Sequence, residues 1–121
     1  MAIVRYLVHD VDAAVDFYVN QLGFTLTRRM GPAFAIVGRG DLALWVSGPR
    51  TSAAQPMPDG RTPQPGGWNR LVIEITELDV LVAELRASGS TFRNDPVTGP
   101  GGTQILVEDP SGNPVELFQP A

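Results

Sequence analysis

The stretch "VHDVDAAVDFYVNQLGF", residues 8–24, decides how the rest of the chain is read. Asp10 stands at the position of a helix N-cap, where a carboxylate can accept from a first-turn N–H that has no partner within the helix. Val11, Val15, Tyr18 and Leu22 follow at i, i+4, i+7 and i+11, one apolar stripe along a helix. Gly23 then offers the left-handed conformation that ends such a helix. The stripe recurs 67 residues later, Val11 onto Leu78, Val15 onto Val82 and Tyr18 onto Leu85, with Gly89 past its end. "TELD", residues 76–79, fits a capping box, a hydroxyl at the N-cap and a carboxylate three residues on.

Strand-like segments flank both helices in the same order. "AIVRYLV" (2–8) precedes the first, and "FTLTRR" (24–29), "FAIVG" (34–38) and "LALWVS" (42–47) follow it. "NRLVIEIT" (69–76) precedes the second, and "TFRND" (91–95), "TQILVED" (103–109) and "PVELFQ" (114–119) follow it. The turn "GRGD" stands in the first half where "DPSGN" stands in the second. The economical reading is an α+β chain built as two copies of βαβββ. Residues 49–67, rich in Pro and Gly and without a periodic pattern, form a linking loop. The 121 residues thus read as one domain, with module 1 at about 1–48 and module 2 at about 68–121. The loop is either a lid or a linker.

Composition removes several function classes. A net charge of −4, with no basic cluster, argues against a nucleic-acid surface. No apolar run approaches the ~18 residues of a membrane span, and "MAIVRYLVHD" reads as a strand start, not a secretory signal. Without cysteine there is no disulfide, thiolate metal site or thiol nucleophile. A cytoplasmic protein is the default expectation. "GPGG", residues 99–102, is a turn, since it neither follows a strand nor opens a helix as phosphate-binding loops do.

The half-repeat "VHDVDAAVDFYVNQLGF" and the ending "EDPSGNPVELFQP" resemble the vicinal oxygen chelate superfamily. This family includes glyoxalase I, extradiol dioxygenases and bleomycin-binding resistance proteins, and the resemblance covers nearly the whole chain. It implies that each module curls into half a barrel with its helix outside. It also implies that the two modules enclose a small-molecule cleft and that a second subunit completes it, so a homodimer is expected. In metal-using relatives, ligands come from the first and last strands of each module. The matching positions here are Ile3, then Leu44 or Trp45 depending on register, then Arg70 and Glu116. Only Glu116 can ligate a divalent cation, and zinc or iron sites need three or four donors. The expectation is therefore no metal, no cofactor and no catalytic residue. His9, the single histidine, falls at a strand-to-helix turn outside the cleft.

Strand alternation sorts the remaining candidates. Leu71, Ile73 and Ile75 face the helix, while Arg70, Val72 and Glu74 face the cleft. Val115 and Leu117 face the helix, while Glu116 and Phe118 face the cleft. Ile3, Arg5 and Leu7 join that side from the first strand. First and last strands being neighbours in this fold, Arg70 pairs with Glu116. Phe34, Trp45, Trp68 and Phe118 supply aromatic surface for flat or cationic guests. Candidate ligand-binding residues are thus Arg5, Phe34, Trp45, Trp68, Arg70, Glu74, Glu116 and Phe118. The expected function is a metal-free small-molecule binder that sequesters an aromatic or cationic drug. The alternative is a metal-independent lyase or isomerase with Glu116 or Glu74 as base, against which a cation beside Glu116 counts. A metal-dependent glyoxalase or dioxygenase comes last, for want of histidine ligands.

Overall fold

The computed structural model describes all 121 residues, and they divide into two compact units, Met1–Gly66 and Gly67–Ala121. The first unit runs β1 (Ala2–Leu7), α1 (Val11–Asp16), a π-helical turn (Phe17–Gln21), β2 (Thr25–Met30), β3 (Phe34–Arg39) and β4 (Leu42–Ser47). Its sheet has the order β1-β4-β3-β2, with β1 parallel to β4 and the other pairs antiparallel. The second unit runs β5 (Leu71–Glu74), α2 (Leu78–Ala87), β6 (Val97–Gly99), β7 (Gly102–Glu108) and β8 (Pro114–Pro120). Its order is β5-β8-β7-β6, again with first and last strands parallel. Each unit is therefore βαβββ, a four-stranded mixed sheet carrying one helical segment. Parallel neighbours cannot be joined by a hairpin, so the helix between β1 and its sheet packs across a face of that sheet.

In unit 1 that face buries Val11, Ala14, Phe17, Tyr18, Leu22 and Phe24 together with Ala35, Val37, Leu44 and Val46. The buried stripe differs from the expected one. The helix is α only to Asp16 and then widens, and the widening turns both Phe17 and Tyr18 into the core. Consecutive residues of a regular α-helix point about 100° apart, which would send one of the pair outward. Val15, expected on the stripe, is only half-buried, and Ala14 takes its place. Tyr18 meets Phe17 and Phe24 edge-on at 5.2 and 5.3 Å. Asp10 caps the helix as anticipated, its Oδ1 accepting from the Ala13 N–H at 3.1 Å. Gly23 follows with φ +76°, a conformation that glycine adopts without steric cost.

Unit 2 buries Leu78, Val82 and Leu85 of α2, the three residues of the repeated stripe, against Leu71, Ile73, Ile105, Val107, Val115 and Leu117. Two local expectations fail here. The capping box does not form: the helix starts one residue later, with Glu77 at the N-cap position and no side-chain cap from it. Instead Gln119 of β8 reaches over, and its Oε1 accepts from the Leu78 N–H at 2.8 Å. A distant strand thus supplies what the local hydroxyl of Thr76 does not. Residues 91–95 do not form a strand, apart from an isolated bridge between Phe92 and Val107. The ladder there is only partial: the Arg93 N–H donates to the Leu106 carbonyl and the Glu108 N–H to the Thr91 carbonyl, but the Leu106 N–H goes to Asn94 Oδ1, and Pro96 has no N–H to give. The second strand of the unit is instead β6, two residues later. The linking loop also contains a short 3-10 turn, Ser52–Ala54.

The turn "DPSGN" fixes the register of β7 on β8. Asp109, 4% exposed, accepts from the backbone N–H groups of Ser111 and Asn113 at 2.8 and 2.9 Å and from Asn113 Nδ2 at 3.0 Å. The turn therefore carries its own buried charge fully bonded, and Glu108 lands opposite Pro114. No helix of the chain is long and apolar enough to cross a membrane.

The capping arrangement yields a direct test. Gln119→Ala should destabilise the protein by about 1 kcal/mol, the usual worth of a helix cap. Thr76→Ala should leave the urea midpoint nearly unchanged, because exposed Thr76 caps nothing. The reverse order of effects would restore the capping box.

Candidate functional site

With one face of each sheet covered by its helix, the other face is open, and the sequence-derived candidates collect there. In unit 2, Arg70 lies one residue before β5, at its edge and not within it. Its Nε and Nη2 donate to Glu116 Oε1 at 3.1 and 2.9 Å. The Glu116 side chain is 11% exposed and that of Arg70 is 32% exposed. Arg70 Nη1 also donates to the Trp68 carbonyl at 3.3 Å. The Gln104 carboxamide, with its nitrogen turned toward Glu116, donates to Oε2 at 2.6 Å and Oε1 at 3.0 Å. Both carboxylate oxygens are therefore committed to donors. Phe118 lies two residues on along β8, with Glu74 and Gln104 as its register partners on either side.

Gln104 was not among the sequence candidates, though a signal for it exists. Once the five-residue turn sets Glu108 opposite Pro114, counting back two at a time puts Leu106 opposite Glu116 and Gln104 opposite Phe118, on one face. Arg93 was missed for a different reason, since it was read as part of a strand. Its guanidinium donates to Glu108 Oε2, the Gly67 carbonyl and the Gly112 carbonyl at 2.8, 2.6 and 2.9 Å, and stacks 4.6 Å from the Trp68 ring centroid. Trp68 is 69% exposed and is held out at the surface by Arg93.

In unit 1 the parallel register pairs Ile3 with Ala43 and Arg5 with Trp45. This settles the choice between Leu44 and Trp45. Leu44 is fully buried on the helix side, so Trp45 is the residue on the open face, the counterpart of Glu116 opposite Val72. Arg5 stacks on Trp45, its Cζ 5.0 Å from the ring centroid, and donates to Ser47 Oγ at 3.3 Å. Phe34 meets Trp45 edge-on at 5.8 Å. Beside them is a pocket of about 440 Å³ lined mainly by Ile3, Ile36, Leu42, Ala43 and Trp45. His9 is exposed at the turn before α1, beside Asp10, and lies outside this face.

The open faces thus offer an aromatic, apolar surface in unit 1 and a closed polar cluster in unit 2. At the four positions that correspond to metal ligands in related proteins stand Ile3, Trp45, Arg70 and Glu116. This donor set does not fit a divalent metal, since the single carboxylate among them is already bound by a guanidinium and a carboxamide. No group of three or more His, Asp or Glu side chains in the chain could hold one. Arg70 and Gln104 hold the Glu116 carboxylate in place, with three contacts on Oε1 and one on Oε2, and a cation against the carboxylate counts against its use as a base.

Two βαβββ units, each with its first and last strands paired in parallel and a helix packed on one face of its sheet, define a paired-module α+β protein. The chain belongs to the Glyoxalase/Bleomycin resistance protein/Dioxygenase superfamily, whose family model matches residues 1–117. Among solved structures it is similar to TnmS3, an antibiotic binding protein from Streptomyces sp. CB03234, at 27% identity over 98% of this chain and 93% of that one, with a TM-score of 0.74. A superfamily member from Sphaerobacter thermophilus has 27% identity over 98% and 95% of the two chains and a TM-score of 0.75. A lactoylglutathione lyase from Agrobacterium tumefaciens shares the fold at 18% identity, over 98% and 92%, with a TM-score of 0.75. No curated protein sequence matches the chain.

The Arg70–Glu116 pair predicts an asymmetry. Arg70→Ala leaves a mostly buried carboxylate with only Gln104 and should cost roughly 2–3 kcal/mol, below the range for fully buried pairs because Arg70 is partly solvated. Arg70→Met combined with Glu116→Leu should cost less than Arg70→Ala alone. Denaturant melts of the two variants decide the matter, and equal losses would mean that the pair is not compensating a buried charge.

Proposed function

We propose that this chain is a metal-free small-molecule-binding protein of the glyoxalase/bleomycin-resistance type, which sequesters an aromatic guest and performs no chemistry on it. The observation that carries this reading is the engagement of Glu116. Of the two candidate bases, Glu116, which is also the one carboxylate at the expected metal positions, is held by Arg70 through Oε1 and by Gln104 through both oxygens. What the open face of unit 1 offers instead is stacking surface, Trp45 with Phe34 edge-on to it. Flat rings bind such surfaces by burial and offset or edge-on contact. The similarity to TnmS3, an antibiotic binding protein, at 27% identity supports the same reading. A lyase or isomerase would need a carboxylate directed at substrate, which Glu116 is not.

The reading includes a homodimer as the binding form, because a face of one four-stranded sheet is shallow and a second copy would deepen it. Sedimentation should then give about twice the 13.0 kDa chain mass at micromolar concentration. A persistent 13.0 kDa species would count against that part of the proposal.

Elemental analysis after growth or incubation with zinc, iron, nickel and manganese should find no stoichiometric metal. One tightly held transition metal per chain would sink the proposal. Titration with polycyclic aromatic compounds should give saturable quenching of indole fluorescence, and Trp45→Ala should weaken it at least tenfold, about the worth of one well-placed aromatic contact.

A further inference from the structure

We infer that the open face of unit 1 takes a planar aromatic anion, with Arg5 supplying the countercharge. The inference rests on the binding role proposed above and narrows its guest, which residue types alone had left as either aromatic or cationic.

The argument begins with the floor of the pocket. Ile3, Ile36, Ala43 and Trp45 enclose about 440 Å³, enough for two or three fused rings. Phe34 stands edge-on to Trp45, with the ring planes at 85°, and so fixes the indole's orientation. A flat guest laid on this floor gains burial from the aliphatic side chains and contact with the indole.

Charge decides the rest. No Asp or Glu lines the pocket, whereas Arg39 does, and Arg5 lies on Trp45 at its margin. Arg5 is exposed, and none of the four ion pairs in the chain uses it. Its contacts are the Ser47 hydroxyl at a long 3.3 Å and the Trp45 ring. A guanidinium has five N–H donors in a planar fork, so most of its capacity faces outward, and that fork matches a carboxylate bidentately. Arg5 stands two residues beyond Ile3 on the same strand face, about 7 Å along. A ring seated against Ile3 and Trp45 therefore brings an acidic substituent within reach of Arg5. A cationic guest would meet two guanidinium groups and find the indole face already held by one of them. The net charge of −4 belongs to the whole chain, and Asp41, the acid next to the pocket in sequence, is not among its lining residues.

Three isosteric probes test the assignment: 2-naphthoate, 2-naphthamide and 2-(aminomethyl)naphthalene. They are titrated into the Trp68→Phe protein, so that Trp45 is the sole indole reporter, with isothermal calorimetry in parallel. The expected order is the carboxylate tightest, by about tenfold over the amide, as a charge-assisted pair in a partly solvated site would give. The ammonium should be weakest. Arg5→Gln should remove the carboxylate's margin over the amide, while Arg5→Lys should keep the preference for the anion. Backbone amide shifts should move at Ile3, Ala43 and Trp45.

Equal affinities for all three probes, or tightest binding of the ammonium, would overturn the anion assignment while leaving an aromatic-binding protein. Shifts confined to Gln104, Glu116 and Phe118 would overturn the location. Failure of every probe to saturate at millimolar concentration would overturn the inference and the binding role together.

Discussion

The structure depends on one pairing, made twice: the first strand of each unit lies parallel to its last. A parallel pair demands a crossover, and the crossover helix takes one face of the sheet for the core. Strand alternation then leaves every second residue on the face the helix does not cover. Equivalent positions in the two units follow from the register. Trp45 opposite Arg5 and Glu116 opposite Val72 are the same place in the motif. The duplicated scaffold thus supplies two matched positions, and the side chains give them unlike characters. One is an indole with a cation on it, and the other is a carboxylate enclosed by donors.

Charge is handled locally throughout the second unit. Asp109 is satisfied within its own turn, Glu116 by Arg70 and Gln104, and Glu108 by Arg93. No buried side-chain nitrogen or oxygen lacks a partner. Such clusters contribute little net stability, since desolvation offsets most of the attraction. Breaking one is costly all the same, because the remaining charge is left among apolar neighbours. The polar groups of unit 2 therefore constrain one another, and the arrangement tolerates paired replacement better than single loss.

The βαβββ repeat was legible because it rests on periodicity. The stripe of Leu78, Val82 and Leu85 and the alternation across Leu71, Ile73, Val115 and Leu117 are long-range consequences of simple spacing. The Arg70–Glu116 contact was legible for the same reason, once neighbouring strands were assumed. What escaped were features in which a distant group overrides a local signal. Thr76 and Asp79 have the pattern of a capping box, but Gln119, 41 residues from Leu78, reaches the helix first. "TFRND" has strand-like residues, but the Asn94 side chain takes the Leu106 N–H that a ladder would otherwise use. The widening after Asp16 has no spacing signature short of noticing that Phe17 and Tyr18 both need to be buried. On the site, residue types offered cations and aromatic rings separately, and it is the parallel register that brings Arg5 onto Trp45.

The same first-with-last pairing has a consequence for the order in which the molecule assembles. Ala2 is joined to Leu42, and Leu71 to Val115, so each sheet is completed by contacts spanning 40 and 44 residues. Closing loops of that size comes before the contacts that reward it, which slows collapse relative to a hairpin-built sheet. In both units the strand beside the first one is the last to be synthesised. β1 and β5 therefore wait as unpaired edges while their helices form. The apolar run of β5 in particular stays open to wrong partners until β8 arrives. Unit 1 has all its strands by Ser47 and can close while unit 2 is still being made. The chain is built to fold as two successive closures, the earlier one completing its long-range strand pairing before β5 of the later one emerges.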